Sequence, residues 1–401
     1  MTTSATSPFV RSRTTVLGYL TIAVFGYCLY ALGPVLAVVQ RNFGISYFLM
    51  SAHSSFWAVG TVVAGLTFAR LARVLGRTRL LRLCFVATAS GAALFAVGNH
   101  VAVTLTASAL LGTAGSLLQT CTFAVLSDHH GSRRDRALVE ANIGASAAAV
   151  LAPLALGGLA AGPLGWRAVM ALPVLALIVL GLVFRRVEPP RSATPTPGTG
   201  SADGRMSTRT WLLCALVGIV VGVEFCLVFY GAQLLHSTTG VDTVWAATAM
   251  ALFFAAELLG RVVGSGLTRR PGRSRRLLAG TLVLSIAGML LLWLSRDPVV
   301  ALVGLMAAGL GIANLFPLAL TLALASAQGL TDRAAARSQF FVGTAIALGP
   351  LVLGLLSDRW GVQRGFLTAL LLAAVALALL FTGGSDGFPR RRRKVDVKQP
   401  E

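Results

Sequence analysis

Long runs of apolar residues alternate with short polar stretches along this chain. A helix needs about 20 apolar residues to cross the hydrocarbon core of a bilayer. Twelve runs meet this requirement, and because the backbone must bond internally in lipid, we predict an all-α integral membrane protein. The predicted transmembrane helices are 16–39, 47–69, 81–98, 101–126, 137–161, 167–184, 211–235, 244–268, 277–295, 298–326, 335–357 and 365–382.

The stretch 187–209, between the sixth and seventh runs, has a different composition. It is rich in Pro, Gly, Ser and Thr and too poor in apolar residues to bury a core, which is typical of a flexible linker. We therefore predict five parts: a cytoplasmic tail at 1–15, a six-helix bundle at 16–186, a cytoplasmic linker at 187–209, a second six-helix bundle at 210–383 and a basic cytoplasmic tail at 384–401.

The composition of the 401 residues is 56% hydrophobic and only 12% charged, whereas soluble domains carry about 25% charged residues. Soluble domains are therefore excluded, because too few polar side chains exist to coat them. The five cysteines lie singly inside apolar runs without a Cys-x-x-Cys pair, so neither a disulfide framework nor a metal site is expected.

The net charge of +20 raises the question of nucleic-acid binding. The basic residues lie in short loops between apolar runs, however, and cytoplasmic termini would place 28 of the 34 on the cytoplasmic side. Such an asymmetry sets the orientation of membrane proteins. We predict a plasma-membrane protein with both termini in the cytoplasm and no nucleic-acid partner. The five basic residues left outside are Arg41, Arg167, Arg296, Arg359 and Arg364.

Two motifs recur at a spacing of 196 or 197 residues. The loops after the second and eighth runs share the pattern Leu-x-Arg-x-x-Gly-Arg-x-Arg, which begins at Leu71 and again at Leu267. The fifth and eleventh runs both begin at Asp-Arg-Ala, at Asp135 and Asp332. Parallel duplicated halves are found in one large group of secondary transporters.

At these residues the chain resembles the major facilitator superfamily. The resemblance covers about residues 14–382 and also rests on Gly33-Pro34, on Gly165-Trp166-Arg167 and on Gly309-Leu-Gly311 with Phe316-Pro317. It implies two pseudo-symmetric six-helix bundles that alternate access to a small-molecule site between them.

The gating loop departs from the pattern of that family, which usually places an Asp where this chain has Arg73 and Arg269. In the family the Asp helps to pair the two halves on the cytoplasmic side, and an Arg cannot do this. Either another group partners the gate, or the gate is held differently, or these arginines supply only positive charge. The candidate gating residues are Arg73, Gly76, Arg77, Arg269, Gly272 and Arg273.

Two acidic residues lie about 12 residues from both ends of their runs, Glu224 in the seventh and Glu257 in the eighth. At 1.5 Å per residue this is roughly 18 Å from either end, which is midplane depth, where a charged group is a functional candidate. Glu224 has no basic residue one helical turn away. Desolvation favours its protonated form, so it can act as a proton-coupling site or as a hydrogen-bonded structural acid.

Arg261 follows Glu257 by four residues, so the two side chains share one helical face. They either neutralise each other as a structural pair or act together in proton coupling, with Arg261 orienting Glu257 or meeting Glu224. Weaker candidates for substrate contact are polar or aromatic residues inside the runs: Tyr27, Tyr30, Trp57, Gln119, Asn142, Phe225, Tyr230, Phe253, Asn314 and Gln339.

No phosphate-binding loop, zinc-protease motif or nucleophile elbow is present, so we expect neither ATP hydrolysis, nor a cofactor, nor a catalytic site. The expected function is a monomeric secondary transporter that exports a small hydrophobic or cationic organic molecule, such as a drug or natural product, in exchange for protons. Two alternatives stay open. One is proton-coupled uptake of a small organic anion on Arg261, and the other is a non-transporting membrane scaffold or sensor.

Overall fold

The computed structural model describes residues 10–183, 205–267, 274–327 and 330–382 of the chain, and they form helices joined by short turns. Most of the predicted N-terminal tail, the predicted C-terminal tail, most of the predicted linker and the second gating loop lie outside these ranges. The gating candidates Arg269, Gly272 and Arg273 are therefore among the residues that the structure does not describe.

The helices before residue 184 form six spans, as the apolar pattern predicts. They are α1 (Arg13–Phe43), α2 (Tyr47–Leu75), α3 (Arg77–Val97), α4 (Val101–His130), α5 (Arg134–Leu159) and α6 (Trp166–Val183), with a 3-10 turn at Gly131–Arg133.

The helices after residue 204 form six more spans. They are α7 (Thr208–Thr239), α8 (Thr243–Leu267), α9 (Ser274–Leu294), α10 (Pro298–Ile312), α11 (Leu315–Ala325), α12 (Thr331–Trp360), α13 (Val362–Gly365) and α14 (Leu367–Thr382). Helices α10 and α11 together make the tenth span, and α13 with α14 makes the twelfth. All twelve predicted spans are confirmed, although several helices continue as polar turns beyond their apolar segment.

The tenth span is broken at residues 313–314 rather than continuous. Pro317 is the third residue of α11, and in an unbroken helix its ring would clash with the carbonyl of Ala313. The side-chain amide of Asn314 donates to the carbonyl oxygen of Gly260 at 2.7 Å, so the break is held against α8.

The two sets of six spans pack in the same pattern, which makes them pseudo-symmetric bundles. In the first bundle α1 packs on α5, α2 on α4, and α3 on α4 and α6. In the second bundle α7 packs on α12, α8 on α10, and α9 on α10 and α14. The positions match when the spans are numbered from one to six within each bundle, as the internal repeat predicts.

The bundles meet along α2 with α12, α5 with α8, and α1 with α7 and α8. Gly33 lets α1 approach α7 closely, because a Cβ at this position would overlap the carbonyl oxygen of Val228. Among the described residues, several contacts between the bundles lie near the turns at 44–46, 240–242 and 361, which we call the sealed end. There Arg41 pairs with Asp242 at 3.3 Å, and Gln233 donates to the carbonyl oxygen of Ala37 at 3.3 Å.

Candidate transport site

The two acidic residues predicted at midplane depth are both buried within the second bundle. Glu224 lies at the middle of α7, and its residue is 8% exposed. Glu257 lies in α8 and is 4% exposed. An ionised carboxylate in such surroundings is costly unless a partner compensates its charge, so the neighbours of each acid decide what it can do.

Glu257 forms an ion pair with Arg261, one helical turn along α8, as their spacing predicts. The same guanidinium reaches across to the first bundle, where its second terminal nitrogen donates to the hydroxyl of Ser146 in α5 at 2.7 Å. The side chain of Arg261 is 38% exposed, whereas that of Glu257 is 5% exposed. Arg261 is therefore a partly exposed side chain that joins a buried acid to the surface between the two bundles.

Glu224 meets a residue of the first bundle as well. The hydroxyl of Tyr30 in α1 donates to a carboxylate oxygen of Glu224 across 3.4 Å. The ring of Tyr30 packs edge-on against Phe254 of α8, with 5.2 Å between the ring centres. Glu224 also interacts electrostatically with Glu257 and Arg261, so these side chains form one group, which we call the acid–arginine cluster: Tyr30, Ser146, Glu224, Glu257 and Arg261.

The cluster holds two carboxylic acids and one guanidinium. With both acids ionised it carries one uncompensated negative charge in a buried place, and with one acid protonated it is neutral. Burial favours the neutral arrangement. The cluster can therefore exchange one proton or one cation without changing its covalent structure.

Aromatic rings lie close to the cluster along α7 and α8. Phe253 packs edge-on against Phe254, with ring centres 5.1 Å apart. Phe225, next to Glu224, stacks on Phe229 at 6.4 Å. Such rings offer apolar surface, and their faces attract organic cations.

Most of the weaker candidates from the sequence have structural contacts in this conformation. The hydroxyl of Tyr27 donates to the carbonyl oxygen of Val169 at 3.1 Å. Tyr230 is fully buried and donates to the carbonyl oxygen of Tyr47 at 2.9 Å. Trp57 is 4% exposed and packs on Phe25.

The polar candidates outside the cluster differ in their surroundings: some form hydrogen bonds to backbone carbonyl groups, and some are exposed. Asn314 is bonded to α8 at the break in the tenth span. Asn142 is exposed and donates to the carbonyl oxygen of Leu138 in its own helix. Gln119 is half-buried and Gln339 is exposed. Among the weaker candidates, only Tyr30 has a described hydrogen bond to one of the two acids, Glu224.

The first gating loop makes its described contacts within the first bundle. Arg77, the first residue of α3, pairs with Asp128 near the end of α4. Arg73 donates to the carbonyl oxygen of Ala69 in its own helix at 3.5 Å. Gly76 adopts a positive φ of 74° between α2 and α3, a backbone angle that favours glycine.

Ser146 and Asp358 are among the residues that join the bundles and that the sequence did not indicate as candidates. Ser146 is one of many small residues in an apolar span, and no local signal distinguishes it. Asp358 lies near the end of a span, where an acid is ordinary, yet its carboxylate accepts hydrogen bonds from α2. No group of three metal-ligating residues occurs within the described part of the chain.

The sequence profile described as the Major Facilitator Superfamily matches residues 18–350. The chain belongs to the major facilitator superfamily. It is therefore a multi-pass membrane transporter and not an enzyme, and transporters of this superfamily bind small-molecule substrates within the membrane.

Similar superfamily members include proteins of two bacterial groups. The chain is 29% identical over 389 residues to an uncharacterized MFS-type transporter of Burkholderia pseudomallei (strain 1106a), with 91% of each chain covered. It is 28% identical over 380 residues to a chloramphenicol resistance protein of Streptomyces lividans, with 90% of this chain and 93% of that protein covered.

Solved structures of the superfamily share the fold at low sequence identity. A bacterial homolog of the human lysosomal transporter Spinster, in an inward-facing and occupied conformation, aligns with a TM-score of 0.77 and 17% identity. The alignment covers 94% of this chain and 97% of that one. The xylose transporter XylE from E. coli aligns with a TM-score of 0.71 and 13% identity, covering 92% and 96%.

Proposed function

We propose that this superfamily member exports a small hydrophobic or cationic organic molecule in exchange for protons, by alternating access around the acid–arginine cluster. The observation that carries the proposal is the pairing of two buried acids with a single guanidinium at mid-depth. Glu257 has Arg261 as its ion-pair partner, and Glu224 is the acid whose charge is left uncompensated.

Proton coupling follows from this charge balance. A proton on Glu224 makes the buried cluster neutral, and so does an organic cation that lies beside the ionised carboxylate. Because one negative charge accepts either the proton or the cation, the two compete for the cluster. Exchange follows when the cluster changes its access only with one of the two bound. The rings of Tyr30 and Phe254, which pack together beside Glu224, offer the apolar and aromatic contact that such a cation needs.

The proposed orientation follows from the basic residues. The five arginines expected outside, at positions 41, 167, 296, 359 and 364, belong to the same end of the bundle as the sealed turns. With that end outside, the contacts at the sealed end close the bundles towards the exterior. This is the state in which an exporter collects its substrate.

Export is favoured over uptake by one relative. The Streptomyces lividans protein is named for chloramphenicol resistance, and resistance by a transporter is consistent with efflux. The substrate of this chain is proposed by chemical class alone, as a small apolar or cationic organic molecule.

The test uses purified protein in liposomes with an imposed proton gradient. Three probes cover the candidate classes: ethidium as an aromatic cation, chloramphenicol as a neutral molecule and benzoate as an aromatic anion. The key variant is Glu224→Gln, which keeps the shape and removes titration. We expect its proton-driven net flux of the accepted probe to fall roughly tenfold or more, equal to about 1.4 kcal/mol, while exchange of a neutral probe without a proton gradient continues.

Glu140→Gln is the matched control. Glu140 is also an acid in a span, but it lies near the start of α5, beside the N-terminal segment of the chain. There the guanidinium groups of Arg11 and Arg136 neutralise its carboxylate at 2.9 Å and 3.0 Å. The flux of the accepted probe through the Glu140→Gln protein should depend on the proton gradient as in the wild type. Normal proton-driven flux by folded Glu224→Gln would remove this residue from the mechanism. Inward flux of benzoate would favour anion uptake, and no flux of any probe would favour a scaffold.

A further inference from the structure

We propose that Tyr30 and Ser146 are positioning residues that couple the charge of the acid–arginine cluster to the contact between the two bundles. The inference rests on the proposed function, because it explains how a proton on the cluster changes the conformation. Both hydroxyls belong to the first bundle, whereas the two acids and Arg261 belong to the second.

The two hydrogen bonds approach the cluster from different helices. Tyr30 comes from α1 and donates to Glu224 of α7. Ser146 comes from α5, is 6% exposed and accepts from Arg261 of α8. Helices α1 and α5 of the first bundle pack against α7 and α8, and each of them forms one hydrogen bond to the cluster.

Protonation changes the strength of the Tyr30 contact. A hydrogen bond to an ionised carboxylate is roughly twice as strong as one to a neutral acid. When Glu224 takes a proton, the hydroxyl of Tyr30 loses a charged acceptor and α1 is held less firmly against α7. The proton therefore favours separation of the two bundles at this depth.

Ser146 affects the same equilibrium between ionised and protonated Glu224, but in the opposite direction to Tyr30. Its hydroxyl holds one end of the Arg261 guanidinium towards α5. Without that partner, the guanidinium is freer to neutralise the two carboxylates, and the ionised form of Glu224 is then favoured. The charged and titratable groups described around Glu224 are Tyr30 from α1 with Glu257 and Arg261 from α8.

The experiment measures proton-driven flux of ethidium as a function of pH, with liposomes that hold the full chain. Tyr30→Phe keeps the ring against Phe254 and removes the donor. We expect the pH of half-maximal flux to rise, with the proton concentration at this midpoint falling at least about threefold, because the ionised form of Glu224 loses a hydrogen bond. Ser146→Ala should shift the same midpoint towards lower pH.

Each variant has a matched control in the first bundle. Tyr19→Phe removes a hydroxyl from the same helix, but this hydroxyl donates to a carboxylate oxygen of Glu140 within the first bundle at 2.8 Å. Ser108→Ala removes a buried hydroxyl of α4 that donates to the carbonyl oxygen of Thr104 in its own helix. Neither control should move the pH midpoint, and a merely structural role of Tyr30 or Ser146 would not give shifts of opposite sign.

The outcomes separate this inference from the proposed function. Wild-type ethidium flux without any dependence on the proton gradient would contradict the proposed function. Wild-type coupling, combined with pH profiles of Tyr30→Phe and Ser146→Ala that match their controls, would overturn the inference alone. If one of the two variants does not fold, the other still decides, because each predicts its own direction of shift.

Discussion

The carboxylate of Asp358 in α12 accepts hydrogen bonds from the backbone N–H groups of Tyr47 and Phe48, at 2.7 Å and 2.9 Å. An acid of the second bundle thus caps the first turn of α2 in the first bundle, where the helix carries partial positive charge. Tyr230 of α7 donates to the carbonyl oxygen of Tyr47 at 2.9 Å, so the same turn is held from two helices.

We predict that Asp358 stabilises the closed state of the sealed end. Asp358→Ala leaves two N–H groups of α2 without their acceptor, and loss of a helix cap costs about 1 kcal/mol, or roughly a fivefold rise in the open population. A cysteine at Ser51, buried beside Gly354 in the closed state, reports the opening. It should react faster with an impermeant thiol reagent when Asp358 is replaced.

Asp297→Ala is the control for this measurement. Asp297 also accepts from two backbone N–H groups, those of Val299 and Val300, but they belong to its own helix α10. Its loss should lower the melting temperature without exposing the cysteine at position 51. Equal reaction rates in the two variants would show that Asp358 only caps a helix.

The pairing of Glu257 with Arg261 predicts a rescue by double substitution. Arg261→Ala leaves the carboxylate of Glu257 buried without its partner, which costs several kcal/mol, so the folded yield should fall. The double variant with Glu257→Ala removes both charges and should recover part of the yield, as measured by size-exclusion chromatography and melting temperature. Arg136→Ala, which breaks the more exposed pair with Glu140, should have a much smaller effect.

The proposed orientation predicts which side of the membrane each turn faces. In a chain without its native cysteines, a cysteine at Ser237 should react with an impermeant thiol reagent in intact cells. A cysteine at Thr208, the first residue of α7, should react only after the cells are opened. Both residues are exposed in the structure, and the reverse pattern would contradict cytoplasmic termini.

Asp242 predicts a pH dependence of stability at the sealed end. The backbone N–H of Val244 donates to its carboxylate, which holds the pKa of Asp242 below its usual value, and Arg41 adds to this effect. A lowered pKa in the folded state stabilises the fold above the unfolded pKa of about 3.9, and this contribution is lost as the pH falls.

The difference in melting temperature between wild type and Asp242→Ala should therefore be largest near neutral pH and should shrink as the pH approaches 4 and falls below it. The effect should be small, because the Asp242 side chain is 60% exposed and exposed pairs contribute at most about 1 kcal/mol. A difference that is the same at every pH would mean that the charge of Asp242 contributes nothing.

The sequence by itself determined the features that depend on neighbours along the chain. Runs of about 20 apolar residues specify spans, since lipid leaves a segment no other way to bond its backbone, and all twelve are present. The spacing of four residues brought Glu257 and Arg261 together, because one helical turn places them on one face. The internal repeat likewise predicted two bundles with the same packing.

Only the tertiary structure decided which distant residues meet. Tyr30 and Glu224 are 194 residues apart, Ser146 and Arg261 are 115 apart, and Asp358 and Tyr47 are 311 apart. Helical periodicity gives the depth of a residue and the face that it shares with its neighbours, but the partner of that face depends on how two bundles pack. For this reason the sequence identified both midplane acids, while only the fold revealed the hydroxyl groups that join the acid–arginine cluster to the first bundle.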